Sequence, residues 1–128
     1  MKSVVICGSS RFKKEALEFA KELEAKGVIV YKPFHANVNE ILKLDSEIQE
    51  YAFCGLSLHH LNYIRKADAV FIFNQNGYIG NSTMLEIGAS FALVKPIYSL
   101  EKYDADKSIA VLIDAVAKTP DELIKKLI

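Results

Sequence analysis

Two rhythms of apolar residues alternate along the chain. Short, continuous, β-branched runs are separated by longer stretches in which apolar positions recur every third or fourth residue. Ser3-Val4-Val5-Ile6-Cys7, closed by Gly8, is the first run. It is apolar at successive positions, which predicts a strand buried on both faces, as in a parallel sheet. Arg11 to Lys26 follows with helical spacing: Phe12, Ala16, Phe19, Ala20 and Leu23 form one stripe, and Gly27 supplies the stop. Val28 to Tyr31 is the second strand, ended by Lys32-Pro33. From Asn37 to Lys66 the pattern is mostly helical, with Gly55 and Ser57 expected to break it in two.

Ala69 to Phe73 is the third strand, followed by a Gly- and Asn-rich loop from Asn74 to Gly80. Ser82 to Val94 reads as a mostly apolar helix, and Pro96 to Leu100 as the fourth strand. Residues 107–113 fit helix or strand, and Ala115-Val116-Ala117 fits a short edge strand. Thr119-Pro120-Asp121-Glu122 is a helix start, with Leu123, Ile124, Leu127 and Ile128 expected to pack that helix. Such alternation predicts an α/β three-layer sandwich, flavodoxin- or Rossmann-like. Its parallel sheet would have four or five strands in the order 2-1-3-4-5, with helices on both faces. Ligands bind such sheets beyond the carboxyl ends of the strands, where the order reverses. That point lies between the loop after the first strand and the loop after the third.

Composition narrows the function classes. The 128 residues fit one domain spanning the whole chain, without a staple. The 16 basic and 16 acidic residues balance, which argues against a nucleic-acid polymer or an anionic membrane as partner. No apolar run approaches the ~18–20 residues of a membrane span, and the N-terminus lacks a signal-peptide pattern. Cys7 and Cys54 have no metal-ligand spacing, so free thiols in a reducing cytoplasm are expected. No metal or cofactor is implied.

The two loops carry the candidate chemistry. Gly8 permits a tight turn, Ser9 and Ser10 offer hydroxyls and N–H groups, and Arg11 offers a forked cation for a phosphate or carboxylate. The motif is neither a Walker A loop nor G-x-G-x-x-G. Ser9 or Ser10 would equally serve as a plain helix cap. In the second loop, Asn74, Gly77, Gly80, Asn81, Ser82 and Thr83 are candidate ligand contacts ahead of a helix N-terminus. Glu86, one turn into that helix, suits a nucleophile or a group that stabilises an oxocarbenium ion. Thr83-x-x-Glu86 also fits a capping box, which would make Glu86 structural. His60 is expected near the cleft edge, whereas Asp68 lies at the opposite, amino end of the sheet, where a capping or turn role is expected.

Several of these segments together resemble a family. Cys7-Gly8-Ser9-x-Arg11, Ala67-Asp68-Ala69-Val70 and Glu86-Ile87-Gly88-x-x-x-Ala92 with Lys95-Pro96-Ile97 are similar to the nucleoside 2-deoxyribosyltransferase superfamily. That superfamily includes the 2'-deoxynucleoside 5'-phosphate N-hydrolases. The resemblance covers about residue 4 to residue 100 and implies cleavage or transfer at the N-glycosidic bond of a nucleoside or nucleoside 5'-monophosphate. It implies that Glu86 attacks or stabilises C1' of the sugar, with Gly8, Ser9, Arg11 and the Gly80–Thr83 loop holding sugar or phosphate. It also implies a homodimer or higher homo-oligomer whose neighbouring subunit completes each site. Many members carry an Asp where this chain has His60, and hydrolase members carry a Tyr where it has Val5. His60 and Tyr78 are therefore the candidate proton donors.

A second resemblance shares the chemistry. Cys7-Gly8-Ser9-Ser10, Arg65-Lys66-Ala67-Asp68-Ala69 and Gly77-Tyr78-x-Gly80-x-x-Thr83-x-x-Glu86 are similar to the phosphoribohydrolases that release cytokinin bases. The alternative is a non-catalytic nucleotide-binding or sensor module on the same fold. A response regulator fits poorly, because the third strand leads into Asn74 rather than a phosphate-accepting Asp.

Overall fold

The computed structural model describes residues 2–128. Its centre is a five-stranded parallel sheet in the order β2-β1-β3-β4-β5. The strands are β1 (Ser3–Cys7), β2 (Ile29–Tyr31), β3 (Ala69–Ile72), β4 (Ile97–Ser99) and β5 (Ala115–Val116). β1 and β3 are buried at every position, which is why neither shows polar alternation.

Alternate residues of these strands feed two cores. On one face Val4, Ile6, Ala69 and Phe71 meet Phe19 and Leu23 of α1 (Lys13–Ala25) and Leu123 of α6 (Pro120–Leu127). Phe19 lies flat on Phe71, 4.8 Å between ring centres. On the other face Val5, Cys7, Val70 and Ile72 meet Ile64 of α3 (Ser46–Lys66) and Ile87 of α4 (Asn81–Ala92). Burying each such side chain is worth roughly 1.5–3 kcal/mol, so the two cores account for the three layers. The expected strand order and layering are both present.

Local chemistry explains the element ends. α1 closes as the periodicity predicts: Gly27 takes φ +89°, its N–H donates to Glu24 O and that of Val28 donates to Leu23 O. Its start differs, because Ser10–Phe12 form a 3-10 turn and the α-helix begins at Lys13 rather than Arg11. Asp68 has the turn role expected of it, accepting from the Ser3 backbone and hydroxyl at the amino end of the sheet. Those hydrogen bonds hold its carboxyl below the usual carboxylate range. The ambiguous stretch at 107–113 holds a short helix, α5 (Lys107–Ala110), with Asp106 accepting from Ser108 N.

Two expectations fail. No break occurs at Gly55 or Ser57; α3 runs through both for 21 residues. A glycine in a helix costs only about 1 kcal/mol relative to alanine, and α3 is anchored farther on by His60 and Ile64. The interruption comes earlier, between α2 (Val38–Leu42) and α3, where the Gln49 amide donates to Leu42 O and Leu44 O. Ile128 does not pack the last helix, since it is 96% exposed while Leu123 and Leu127 are buried.

Candidate active site

Three elements deliver one buried polar cluster at the carboxyl end of the sheet. Cys7 is the last residue of β1 and points to the α3/α4 face, because Val5 and Cys7 share that side. α3 brings His60, and α4 brings Glu86. His60 Nε2 lies 3.2 Å from Cys7 Sγ and 3.0 Å from Glu86 Oε2. The side chains of His60 and Glu86 are only 11% and 16% exposed. One imidazole nitrogen thus faces both a thiol and a carboxylate. The carboxylate can only accept, so a hydrogen bond between the ring and the carboxylate runs from His60 Nε2–H to Glu86. Nδ1 is buried without a hydrogen-bond partner among the described residues.

Cys7 is completely buried, and that burial, with Glu86 nearby, pushes its thiol well above the usual range. A nucleophilic cysteine needs the opposite shift. That shift argues against Cys7 as the nucleophile of a thiol-based triad.

Glu86 opens onto a cleft of about 420 Å³. One wall is Gly8, Ser9 and Ser10; the opposite wall is Gly80, Asn81, Ser82 and Thr83 at the start of α4. Gly8 is required by a close approach, since a Cβ there would sit 2.9 Å from Phe73 O. Ser9 also serves as the cap anticipated for it, its hydroxyl accepting from Arg11 N at 3.2 Å. The capping box of Thr83 and Glu86 is not made. α4 starts at Asn81 with Gly80 as its cap, so Thr83 is already inside the first turn, buried, and Glu86 reaches His60 instead.

Four proposed contacts stand outside this cleft. Both ends of the Asn74 side-chain amide are taken by the backbone of Glu101, so this fully buried residue ties the end of β3 to the end of β4. Gly77, at φ +73°, borders a separate shallow hollow with Glu101 and Lys102. The Arg11 guanidinium lies 4.0 Å over the Tyr78 ring, and each occupies the other outside the cleft lining.

The third wall was not anticipated. His35 and Phe34, in the loop after β2, and Phe53, Leu56 and Ser57 of α3 complete the lining. His35 is half-buried; burial first, then Lys13 and His60, holds its imidazole below the usual range. The loop after β2 leaves the same end of the sheet as the other two, which is the signal that would have pointed to it.

No protein-family model matches the chain, and no curated protein matches it. Solved structures do. A 2-deoxyribosyltransferase from the psychrotolerant bacterium Bacillus psychrosaccharolyticus is similar with a TM-score of 0.58 and 20% identity, over 94% of this chain and 89% of that one. The chain has the deoxyribosyltransferase fold. A conserved protein of Enterococcus faecalis V583 is similar over 99% of this chain and 97% of its own, with a TM-score of 0.62 and 15% identity. Among the described residues, no helix is long and apolar enough to cross a membrane.

Proposed function

We propose that the chain cleaves or transfers the N-glycosidic bond of a nucleoside or nucleoside 5'-monophosphate, with Glu86 as the group that meets C1' of the sugar. The observation that carries this reading is a nearly buried carboxylate, hydrogen-bonded to His60, at the bottom of a cleft between two loops rich in N–H and hydroxyl donors. The 2-deoxyribosyltransferase named above has the same fold.

The proposed chemistry is a displacement. A Glu86 oxygen attacks C1' as the bond from C1' to the base nitrogen breaks, and the base leaves with the bonding pair and takes up a proton from solvent in the open cleft. Water, or a second base, then attacks C1', gives up a proton to solvent and releases the sugar from Glu86. His60 fixes one carboxylate oxygen through Nε2–H, so the other is free to face the sugar. Asn81, Ser82, Ser9 and Ser10 hold the sugar hydroxyls or a 5'-phosphate. Arg11 joins them only by leaving Tyr78.

The cleft is open and edged by exposed Phe34, Val38 and Phe53. A second copy of the chain covering that edge would exclude water, which supports a homo-oligomer. Two free cysteines accord with a cytoplasmic setting.

Incubation with a panel of deoxynucleosides and their monophosphates, followed by chromatography for free base, tests the proposal. Release from at least one class is expected. Saturable binding without release over hours would instead assign the chain a nucleotide-binding role, and neither binding nor release would remove both readings.

A further inference from the structure

Cys7, His60 and Glu86 bring three metal-ligating atoms together, and one hydrogen bond from His60 leaves the Cys7 thiol without a strong partner in the cluster. His60 Nε2 is within reach of both the thiol and the carboxylate, yet it has a single position for a proton or a lone pair. If it donates to Glu86, the Cys7 thiol lies beside a nitrogen with nothing to accept its proton. If it accepts from the thiol, it turns a lone pair toward a carboxylate. A divalent cation between the three gives each atom one centre: the Cys7 thiol releases its proton to solvent, and thiolate, imidazole and carboxylate each direct a lone pair at the metal.

We propose that this triad is a binding site for a thiophilic divalent cation, with zinc the best match. The three ligand atoms come from three separate elements and all lie within 4.8 Å of one another. A tetrahedral zinc with Cys, His and carboxylate bonds of about 2.0–2.3 Å needs ligand separations of roughly 3.3–3.6 Å. The two short edges, 3.2 and 3.0 Å, have to open by a few tenths of an ångström, while the third, from Cys7 Sγ to the Glu86 carboxylate, lies within 4.8 Å and closes as the cation draws the ligands in. Sulfur and imidazole select zinc over magnesium or calcium, which prefer oxygen. Three protein ligands leave a fourth position, and the side of the triad that carries Glu86 faces the cleft, so water or a substrate group can fill it. Metal binding here stands whether or not the chain acts on nucleosides. If it does, occupancy withdraws the Glu86 oxygen from C1' and inhibits; that consequence rests on the function proposed above.

Cobalt(II) is the probe, because a thiolate ligand gives it a strong near-ultraviolet charge-transfer band and a tetrahedral site gives visible bands. The reduced Cys54→Ser protein, which lacks the exposed competing thiol, is titrated with cobalt. Saturation at one equivalent with both sets of bands is expected, with zinc displacing the cobalt. Adding Cys7→Ser should abolish the charge-transfer band. Should that variant not fold, His60→Gln in the Cys54→Ser background replaces it and should weaken binding about 10-fold or more. No saturable binding, a charge-transfer band that persists without Cys7, or unchanged affinity in His60→Gln would overturn the site. These bands are read without substrate, so failure of the metal site and failure of the glycosidic reading are separate results.

Discussion

Val94→Gly should stabilise the protein, although it removes a hydrophobic side chain. Val94 follows the end of α4 and has φ +59°, the left-handed region where a β-branched residue is strained. The hydrogen bonds there are those of a glycine-type helix stop: Val94 N–H donates to Phe91 O and Lys95 N–H donates to Ser90 O. Relief of the left-handed strain is worth roughly 1–2 kcal/mol. Glycine gives back about 0.5–1 kcal/mol through the extra freedom of the unfolded chain. Almost no burial is lost, because Val94 is 87% exposed. The net gain is about 0.5–1 kcal/mol, or roughly 2–5 °C in Tm for a chain of this size. Thermal melts followed by circular dichroism and urea titrations of the two proteins measure it. An unchanged or lower Tm at the same urea m-value would refute the assignment of strain to this turn.

Three further predictions concern the core, the sheet's amino end and the thiols. Ile87→Ala should cost about 3 kcal/mol, since Ile87 is fully buried under α4; urea unfolding reads the loss, and one under 1 kcal/mol would contradict the packing described. Asp68 has a depressed carboxyl in the folded state, so its contribution is present above the unfolded value near 3.9 and fades as pH falls through the folded one. Asp68→Asn should therefore lower stability at pH 7, by no more than about 1 kcal/mol at this exposed position, and the difference should shrink below about pH 4 in urea melts across pH. One thiol, Cys54, should react rapidly with an aromatic disulfide reagent at pH 8, while Cys7 waits for unfolding; two fast thiols would contradict its burial.

The sheet was legible because β1 and β3 write their burial directly into continuous apolar runs, as Val4-Val5-Ile6-Cys7 illustrates. Alternation with helices implied the parallel sheet, and the 2-1-3-4-5 order was the flavodoxin-like arrangement expected for four or five such strands. The helix through Gly55 was not legible, because a local breaker signal was outweighed by anchoring nine residues farther on at Ile64. The two loops of the cleft were found from their glycines and their place at the switch point. Asn74's tie to the Glu101 backbone was not legible, because its type suggests a ligand contact and its partner is 27 residues away. The same distance effect hid the triad. Cys7, His60 and Glu86 have no motif spacing in sequence, and only the packing of α3 and α4 on β1 brings them together.

The central claim is that the Glu86 carboxylate carries the chemistry. Base release from a substrate deoxynucleoside, followed under single-turnover conditions for the unaltered protein and for Glu86→Gln, tests it most directly. The isosteric amide keeps the fold and cannot supply an attacking oxygen anion, so the rate should fall at least on the order of 10²-fold with the melting temperature nearly unchanged. Release at the unaltered rate from a folded Glu86→Gln protein would contradict it.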